Sequence, residues 1–160
     1  MWKKLPVSLG VGLFIGVLIS TIYARAQGTK PQSNSDNSNL RPAVTKTDLQ
    51  IVKRAREILN SESKWNRADN RICPAEAKTV SLYCALQMAT VEVGGKAEHR
   101  GAALQEARFV IDEIARDRNY EHRLMNYNND RTTTFSDIQE VLRITESLIS
   151  LRLKTNGNSH

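Results

Sequence analysis

The chain has 160 residues, of which 40% are hydrophobic and 25% charged, and its 23 basic and 17 acidic residues give a net charge of +6 at pH 7. A chain of this length has room for one domain of ordinary size. Basic and acidic residues are interspersed without a clustered basic stripe, so the composition excludes the usual footprint of a nucleic-acid-binding protein, and no nucleic-acid partner is expected.

The first 26 residues have the pattern of a signal peptide. A basic start, MWKK, precedes the apolar run LPVSLGVGLFIGVLISTIY, and small residues follow at Ala24 and Ala26. This pattern predicts cleavage after Ala26 and a periplasmic or secreted protein. An uncleaved anchor at residues 5–23 is the alternative, because the run approaches the roughly 20 residues that span a bilayer. Membrane contact is expected only through such an anchor. The rest of the chain has 20 basic and 17 acidic residues, a balance of +3.

Residues 27–46 form a polar segment, QGTKPQSNSDNSNLRPAVTK, interrupted by Pro31 and Pro42. Such a segment cannot bury enough apolar surface to offset the entropy lost on ordering, so it is predicted to be a disordered linker. The folded domain is predicted to cover residues 47–154, and residues 155–160 are expected to fray.

The first helix is predicted to begin at a capping box formed by Thr47 and Gln50 and to end near Asn60. The following stretch, SESKWNRADNRICP, has no periodicity and is predicted to be a loop with Trp65 as its apolar anchor. The residues expected to face the core from the helix recur at helical spacing: Leu49, Val52, Ala55, Ile58 and Leu59.

Cys73 and Cys84 are the only cysteines. Export permits a disulfide between them. An unbroken helix from Pro74 to Cys84 would hold the sulfurs too far apart, so a disulfide requires a break near residues 77–79. Two reduced, buried cysteines are the alternative.

The stretch TVSLYCALQMATVEVGG is apolar on nearly every side of a helical wheel, which predicts a buried central helix ended by Gly94 and Gly95. A third helix is predicted over residues 98–116, with Phe109 opposite its apolar face. An exposed Phe109 would indicate a partner surface, and the alternative is that another element covers it. The predicted apolar face consists of Ala103, Ala107, Val110, Ile111 and Ile114.

The segment EHRLMNYNND is short, mixed and rich in asparagine, which favours a loop, with a helical turn as the alternative. The last helix has a capping box at Thr134 and Asp137 and is predicted to reach about Lys154. The sequence therefore predicts an all-α fold, a single small bundle of four main helices. The apolar positions of the last helix are Ile138, Val141, Leu142, Thr145, Leu148 and Ile149.

The segment YNNDRTTTFSDIQEVL resembles that of an uncharacterised family of short helical bacterial proteins, a domain of unknown function. In that family an aromatic-Asn pair precedes a polar loop, a Thr and a helix with branched apolar residues. The resemblance implies an all-α fold, gives no function, and directs attention to Tyr127 and Asn128. The matching positions are Tyr127, Asn128, Thr134, Ile138 and Leu142, with Cys84 similar to an upstream cysteine.

Asn128 can be interpreted in two ways. An asparagine where a helix meets a loop can pin the loop through its amide donors and its oxygen acceptor. The alternative is contact with a ligand, in which case Tyr127 and Asn129 would be binding residues beside it.

The tripeptide EHR occurs twice and contains both internal histidines, His99 and His122. These histidines are the candidate catalytic residues of a metal-dependent or acid-base hydrolase near residues 127–130. Yet the sequence has no H-E-x-x-H and no histidine pair at helical spacing, so neither a metal nor another cofactor is expected.

The structural interpretation of the repeats gives their arginines the main role. Arg100 would lie on the apolar side of the third helix, and Arg123 with Glu121 would join it in an ion-pair network. Both arginines are also candidate binding residues. The favoured function is an exported helical module, binding or structural, whose partner is an unknown protein or small molecule.

Overall fold

The computed structural model describes residues 41–157, which form five α-helices and no strands, so the all-α prediction is confirmed. The predicted signal peptide or anchor, most of the predicted linker and residues 158–160 lie outside this range. Within it, no helix is both long and apolar enough to cross a membrane. The helices are α1 (Lys46–Ile58), α2 (Leu82–Gly94), α3 (Ala102–Ile114), α4 (Arg123–Asn129) and α5 (Phe135–Gly157).

The capping box of α1 is formed by Thr45 and Asp48, so its prediction at Thr47 was wrong by two residues. The Thr45 hydroxyl accepts from the backbone N–H of Asp48, and the Asp48 carboxylate accepts from that of Thr45 at 2.8 Å. A carboxylate binds amide donors more strongly than the amide oxygen of Gln50 would, and the helix dipole favours it at this end. Val44 is buried just before the cap. The packed chain thus begins before the predicted start at residue 47.

Cys73 and Cys84 form a disulfide, with Cα atoms 5.2 Å apart, so the first of the two alternatives for these cysteines is the one observed. The break that this bond requires is present, because the chain forms turns before Ser81 caps α2. The Ser81 hydroxyl accepts from the backbone N–H of Cys84. Eight of the 13 residues of α2 are buried and the helix ends at Gly95, whose φ of 78° favours glycine. The prediction that this helix is buried is therefore confirmed.

Helix α3 begins at Ala102, four residues later than predicted. Residues 98–101 form a turn in which the Gly101 N–H donates to the Glu98 carbonyl at 3.2 Å. Arg100 lies in this turn and is exposed, so its predicted place on the apolar face of α3 was wrong. Ile114 was also wrongly assigned to the core, because α3 ends there and leaves it 43% exposed.

The predicted loop at residues 121–130 is largely helix, since α4 occupies seven of its ten residues. The Asn126 side chain accepts from the backbone N–H of His122 at 2.8 Å and so satisfies a donor at the helix start. Burial of Leu124, Tyr127 and Asn128 stabilises α4 through packing against other elements, which its short, mixed sequence does not indicate.

Helix α5 has the predicted capping box, with the Thr134 N–H donating to the Asp137 carboxylate at 2.8 Å. The helix extends to Gly157, so residues 155–157 are helical where fraying was expected. It packs along α1 and α3, whereas α2 packs on α1, α3 and α4.

Glu106 of α3 is fully buried and ties the start of the described chain to the bundle. Its carboxylate accepts from the guanidinium groups of Arg152 and Arg41. Arg152 also donates to the Pro42 carbonyl at 2.8 Å. The Arg41 guanidinium lies 4.6 Å from the centre of the Phe109 ring and partly covers it, so Phe109 does not stand as a bare aromatic.

Candidate functional site

The side-chain amide of Asn128 is fully buried and uses all of its hydrogen-bonding capacity. Its oxygen accepts from Trp65 Nε1 at 2.8 Å and from the backbone N–H of Leu82 at 3.0 Å. Its nitrogen donates to the Asn66 carbonyl at 2.9 Å and to Asn129 Oδ1 at 3.1 Å. One amide therefore joins α4, the start of α2 and the Trp65 loop, which is the loop-pinning arrangement described above.

The neighbouring candidates, Asn129 and Tyr127, have similar structural contacts. Asn129 accepts from the backbone N–H of Asp69 at 2.7 Å and donates to its carbonyl at 2.8 Å. Tyr127 packs edge-on against Tyr120, and burial raises its pKa to about 12. Asn128 and Asn129 thus position the loop at residues 66–71.

That loop forms one side of an open pocket of about 610 Å³, which we call the basic pocket. Helix α2 contributes Tyr83, α3 contributes Arg108, and the turn before α3 and the start of α4 close the other sides. The basic and aromatic side chains that define it are Arg71, Tyr83, His99, Arg108, His122 and Arg123.

Both histidines of the EHR repeats line this pocket, so two predicted site residues that are 23 positions apart come together. His99 Nδ1 shares a hydrogen bond with the Tyr83 hydroxyl, and the two rings are nearly parallel. Burial raises the pKa of the Tyr83 phenol, which keeps it protonated. His122 lies at the start of α4, with Nε2 3.9 Å from the Glu121 carboxylate.

Arg108 is half-buried and has no carboxylate within 4.0 Å among residues 41–157. It donates to the His99 carbonyl at 3.0 Å and to Gln105 Oε1 at 3.1 Å. Desolvation, and then repulsion from Arg123 and Arg100, lower the pKa of its guanidinium. Its positive charge is therefore held in place without a counter-ion from the described chain.

Arg71 is the second cation of the pocket without a carboxylate partner in the part of the chain that the structure describes. Its φ of 63° lies in the left-handed region, which is uncommon for a residue with a side chain. The Asp69 carboxylate accepts from its backbone N–H at 2.7 Å, and the disulfide at Cys73 follows two residues later. These restraints hold a strained backbone at the pocket edge.

The predicted network between the two EHR arginines does not form. Arg123 pairs with Asp112 at 3.0 Å and not with Glu121. Arg100 lies outside the pocket lining and has no ion pair with any described residue. Of the two candidate arginines, the structure thus places only Arg123 at the pocket.

Of the six side chains that define the pocket, three were missed in the sequence: Arg71, Tyr83 and Arg108. Arg71 lies in a loop without periodicity, Tyr83 lies on the helix that was predicted to be buried, and Arg108 lies outside the predicted apolar face of the third helix. The ADNR stretch does carry turn-forming residues, but nothing in it indicates that its arginine, Arg71, lies near the histidines. Across residues 41–157, no three His, Cys, Asp or Glu side chains are placed to hold a metal ion.

Asp130, at the end of α4, is expected to make stability fall in acid. Hydrogen bonds from the Thr132 backbone N–H, the Tyr120 hydroxyl and the Thr132 hydroxyl lower its pKa. A carboxylate with a lowered folded-state pKa stabilises the protein above its unfolded pKa of about 3.9, and this stabilisation is lost as the pH falls through the folded value. Urea unfolding at pH 7, 5 and 3 should show a smaller acid loss in Asp130→Asn than in the wild type. Parallel losses would show that Asp130 does not contribute.

The model of a family of unknown function, DUF6197, matches residues 43–148. No curated protein matches the chain. No solved structure matches it either.

Proposed function

We propose that this chain, which belongs to the DUF6197 family of unknown function, is a binding module for a small anionic ligand held in the basic pocket. Membership of an uncharacterised family is what the Tyr127-Asn128 segment predicted. The observation that carries the proposal is the pair Arg71 and Arg108, two pocket cations without a carboxylate partner among the described residues.

Arg108 supports anion binding because the folded protein already orients and partly desolvates its guanidinium group. A guanidinium has five N–H donors, and in Arg108 two of them donate to the His99 carbonyl and to Gln105. These contacts orient the side chain and leave donors for an oxyanion. Partial desolvation strengthens the attraction between the guanidinium and a ligand charge.

The size of the pocket favours a small molecule. Its volume of about 610 Å³ lies within the range of about 300 to 1,000 Å³ that is typical of small-ligand sites. Among the residues that the structure describes, Glu121 is the single acidic side chain in the lining, and it is exposed. A ligand with one or two negative charges therefore fits the pocket in both size and charge.

We also propose that the protein works outside the cytoplasm. The signal-like N-terminus supports export, and the disulfide between Cys73 and Cys84 suits an oxidising compartment. In such a compartment the domain would bind its ligand either free or tethered near a membrane.

A hydrolase acting by acid-base chemistry is the second candidate, because His99 and His122 line one pocket and His99 is hydrogen-bonded to Tyr83. An imidazole there could take or give a proton to a bound substrate. The residues predicted to accompany the histidines, Tyr127 to Asp130, are not part of the pocket lining. Product release separates binding from turnover, because only a hydrolase releases a product. The rate of that release would fall in His99→Ala.

The test is calorimetric titration of the full chain with phosphate, sulfate and citrate at constant ionic strength. We expect saturable binding, weakened about 10- to 100-fold in Arg108→Gln, because a charged hydrogen bond contributes about 1.5 to 3 kcal/mol. Arg131→Gln is the matched control, since Arg131 likewise has no carboxylate partner among residues 41–157 but is exposed and lies outside the pocket. Equal losses in both variants, or no saturable binding, would overturn the proposal.

A further inference from the structure

A second, smaller pocket adjoins the basic pocket. Its volume is about 210 Å³, and Asn70 lines both. Along the chain, Arg71 faces the basic pocket and the next residue, Ile72, faces the smaller one. We call the smaller one the apolar pocket, after the residues that form much of its lining: Ile72, Cys73, Pro74, Ala77, Val80 and Cys84.

Ile72 is 70% exposed, the most exposed large hydrophobic residue of the described chain. Its loop is well restrained, because the Asn70 side chain accepts from the Ile72 N–H at 3.0 Å and the disulfide begins at Cys73. A ligand that covered this side chain would remove its apolar surface from water, which is favourable. Its position between the two pockets points to a ligand that touches both.

From this arrangement we infer that the ligand is an organic anion with an apolar group, whose charged end lies at Arg71 and Arg108 and whose apolar end lies beside Ile72 in the apolar pocket. The inference rests on the proposed anion-binding function and adds the ligand class to it. The charges set the direction of binding. Asp69, in the lining of the apolar pocket, repels an anion there, whereas the basic pocket attracts it.

The apolar end must be small. A volume of about 210 Å³ is roughly seven times the 30 Å³ that one water molecule occupies in the liquid. A short aliphatic chain or a single apolar side chain fits this space. A fatty-acid carboxylate and the C-terminal carboxylate of a peptide ending in an apolar residue offer the same chemistry.

The experiment is a titration of the full chain with acetate, butyrate and hexanoate, with inorganic phosphate as a probe of the basic pocket alone. We expect affinity to rise about two- to fourfold per added methylene, as partial burial of an aliphatic chain predicts. Ile72→Ser should flatten this rise and leave phosphate binding unchanged, whereas Arg108→Gln should weaken the three carboxylates by the same factor. Leu151→Ser, which alters another exposed apolar residue, is the control.

The outcomes separate the two proposals. Phosphate binding without a chain-length effect, or a chain-length effect that survives in Ile72→Ser, would overturn the ligand class and leave anion binding standing. No binding of any probe would overturn both. If the effect is found, comparison of N-acetyl-leucine with hexanoate assigns the anion: tighter binding of the former supports a peptide C-terminus, and tighter binding of the latter a fatty acid.

Discussion

Replacing Asn128 by Asp is expected to lower the free energy of unfolding by about 3 to 5 kcal/mol, the usual cost of an uncompensated buried charge. The carboxylate would still accept from Trp65 and Leu82. It could not donate to the Asn66 carbonyl or to Asn129, and its second oxygen would face these two oxygens without solvent. Urea unfolding followed by circular dichroism at pH 7 measures the difference.

Asn60→Asp is the matched control, because it makes the same chemical change at an exposed position. Its effect should stay within about 0.5 kcal/mol. The cost of Asn128→Asp should shrink toward pH 4, since a protonated carboxyl regains one donor. Similar costs for both substitutions would contradict the role of Asn128 as the residue that joins three segments.

Reducing the disulfide is expected to lower the free energy of unfolding by about 3 kcal/mol. Cys73 and Cys84 are separated by 11 positions, and closing a loop of this order removes that much conformational freedom from the unfolded chain. Urea unfolding with and without dithiothreitol tests this in the full chain. The double variant Cys73→Ser with Cys84→Ala should not respond to the reductant.

Reduction should also weaken anion binding, because Arg71 is held in its left-handed conformation only two residues before Cys73. The wild type would then lose affinity for phosphate on reduction, and the double variant would be weak under both conditions. Unchanged affinity in reduced protein that remains folded would show that the disulfide does not position Arg71.

Much of the fold could be predicted because its signals are local. Apolar residues at helical spacing identified α1, α3 and α5, and a stretch that is apolar on nearly every side identified α2. The box at Thr134 located the start of α5 within one residue. The capping box of α1 was misplaced because two threonines, Thr45 and Thr47, stand close together. The choice between them depends on whether Asp48 or Gln50 accepts a hydrogen bond from the backbone N–H of the capping threonine. Helix α4 was missed because its stability comes from burial against other helices and not from its own sequence.

The site depended on contacts between residues far apart in the chain. Asn128 bonds to groups 46 to 63 positions away, and no local pattern indicates them. The histidines were singled out by their repeat, and they do meet in one pocket. Arg108 could not be recognised as the main cation of the basic pocket, because it is one of several arginines on a helical wheel of the third helix.

Anion binding in the basic pocket is tested most directly by an NMR titration of the ¹⁵N-labelled full chain with inorganic phosphate, followed at the arginine Nε–Hε resonances. If the basic pocket binds anions, the resonances of Arg71 and Arg108 should shift and saturate with one dissociation constant, while that of Arg131 stays in place. No shift at Arg71 and Arg108, or a uniform shift of all arginines without saturation, would show that the basic pocket is not an anion site.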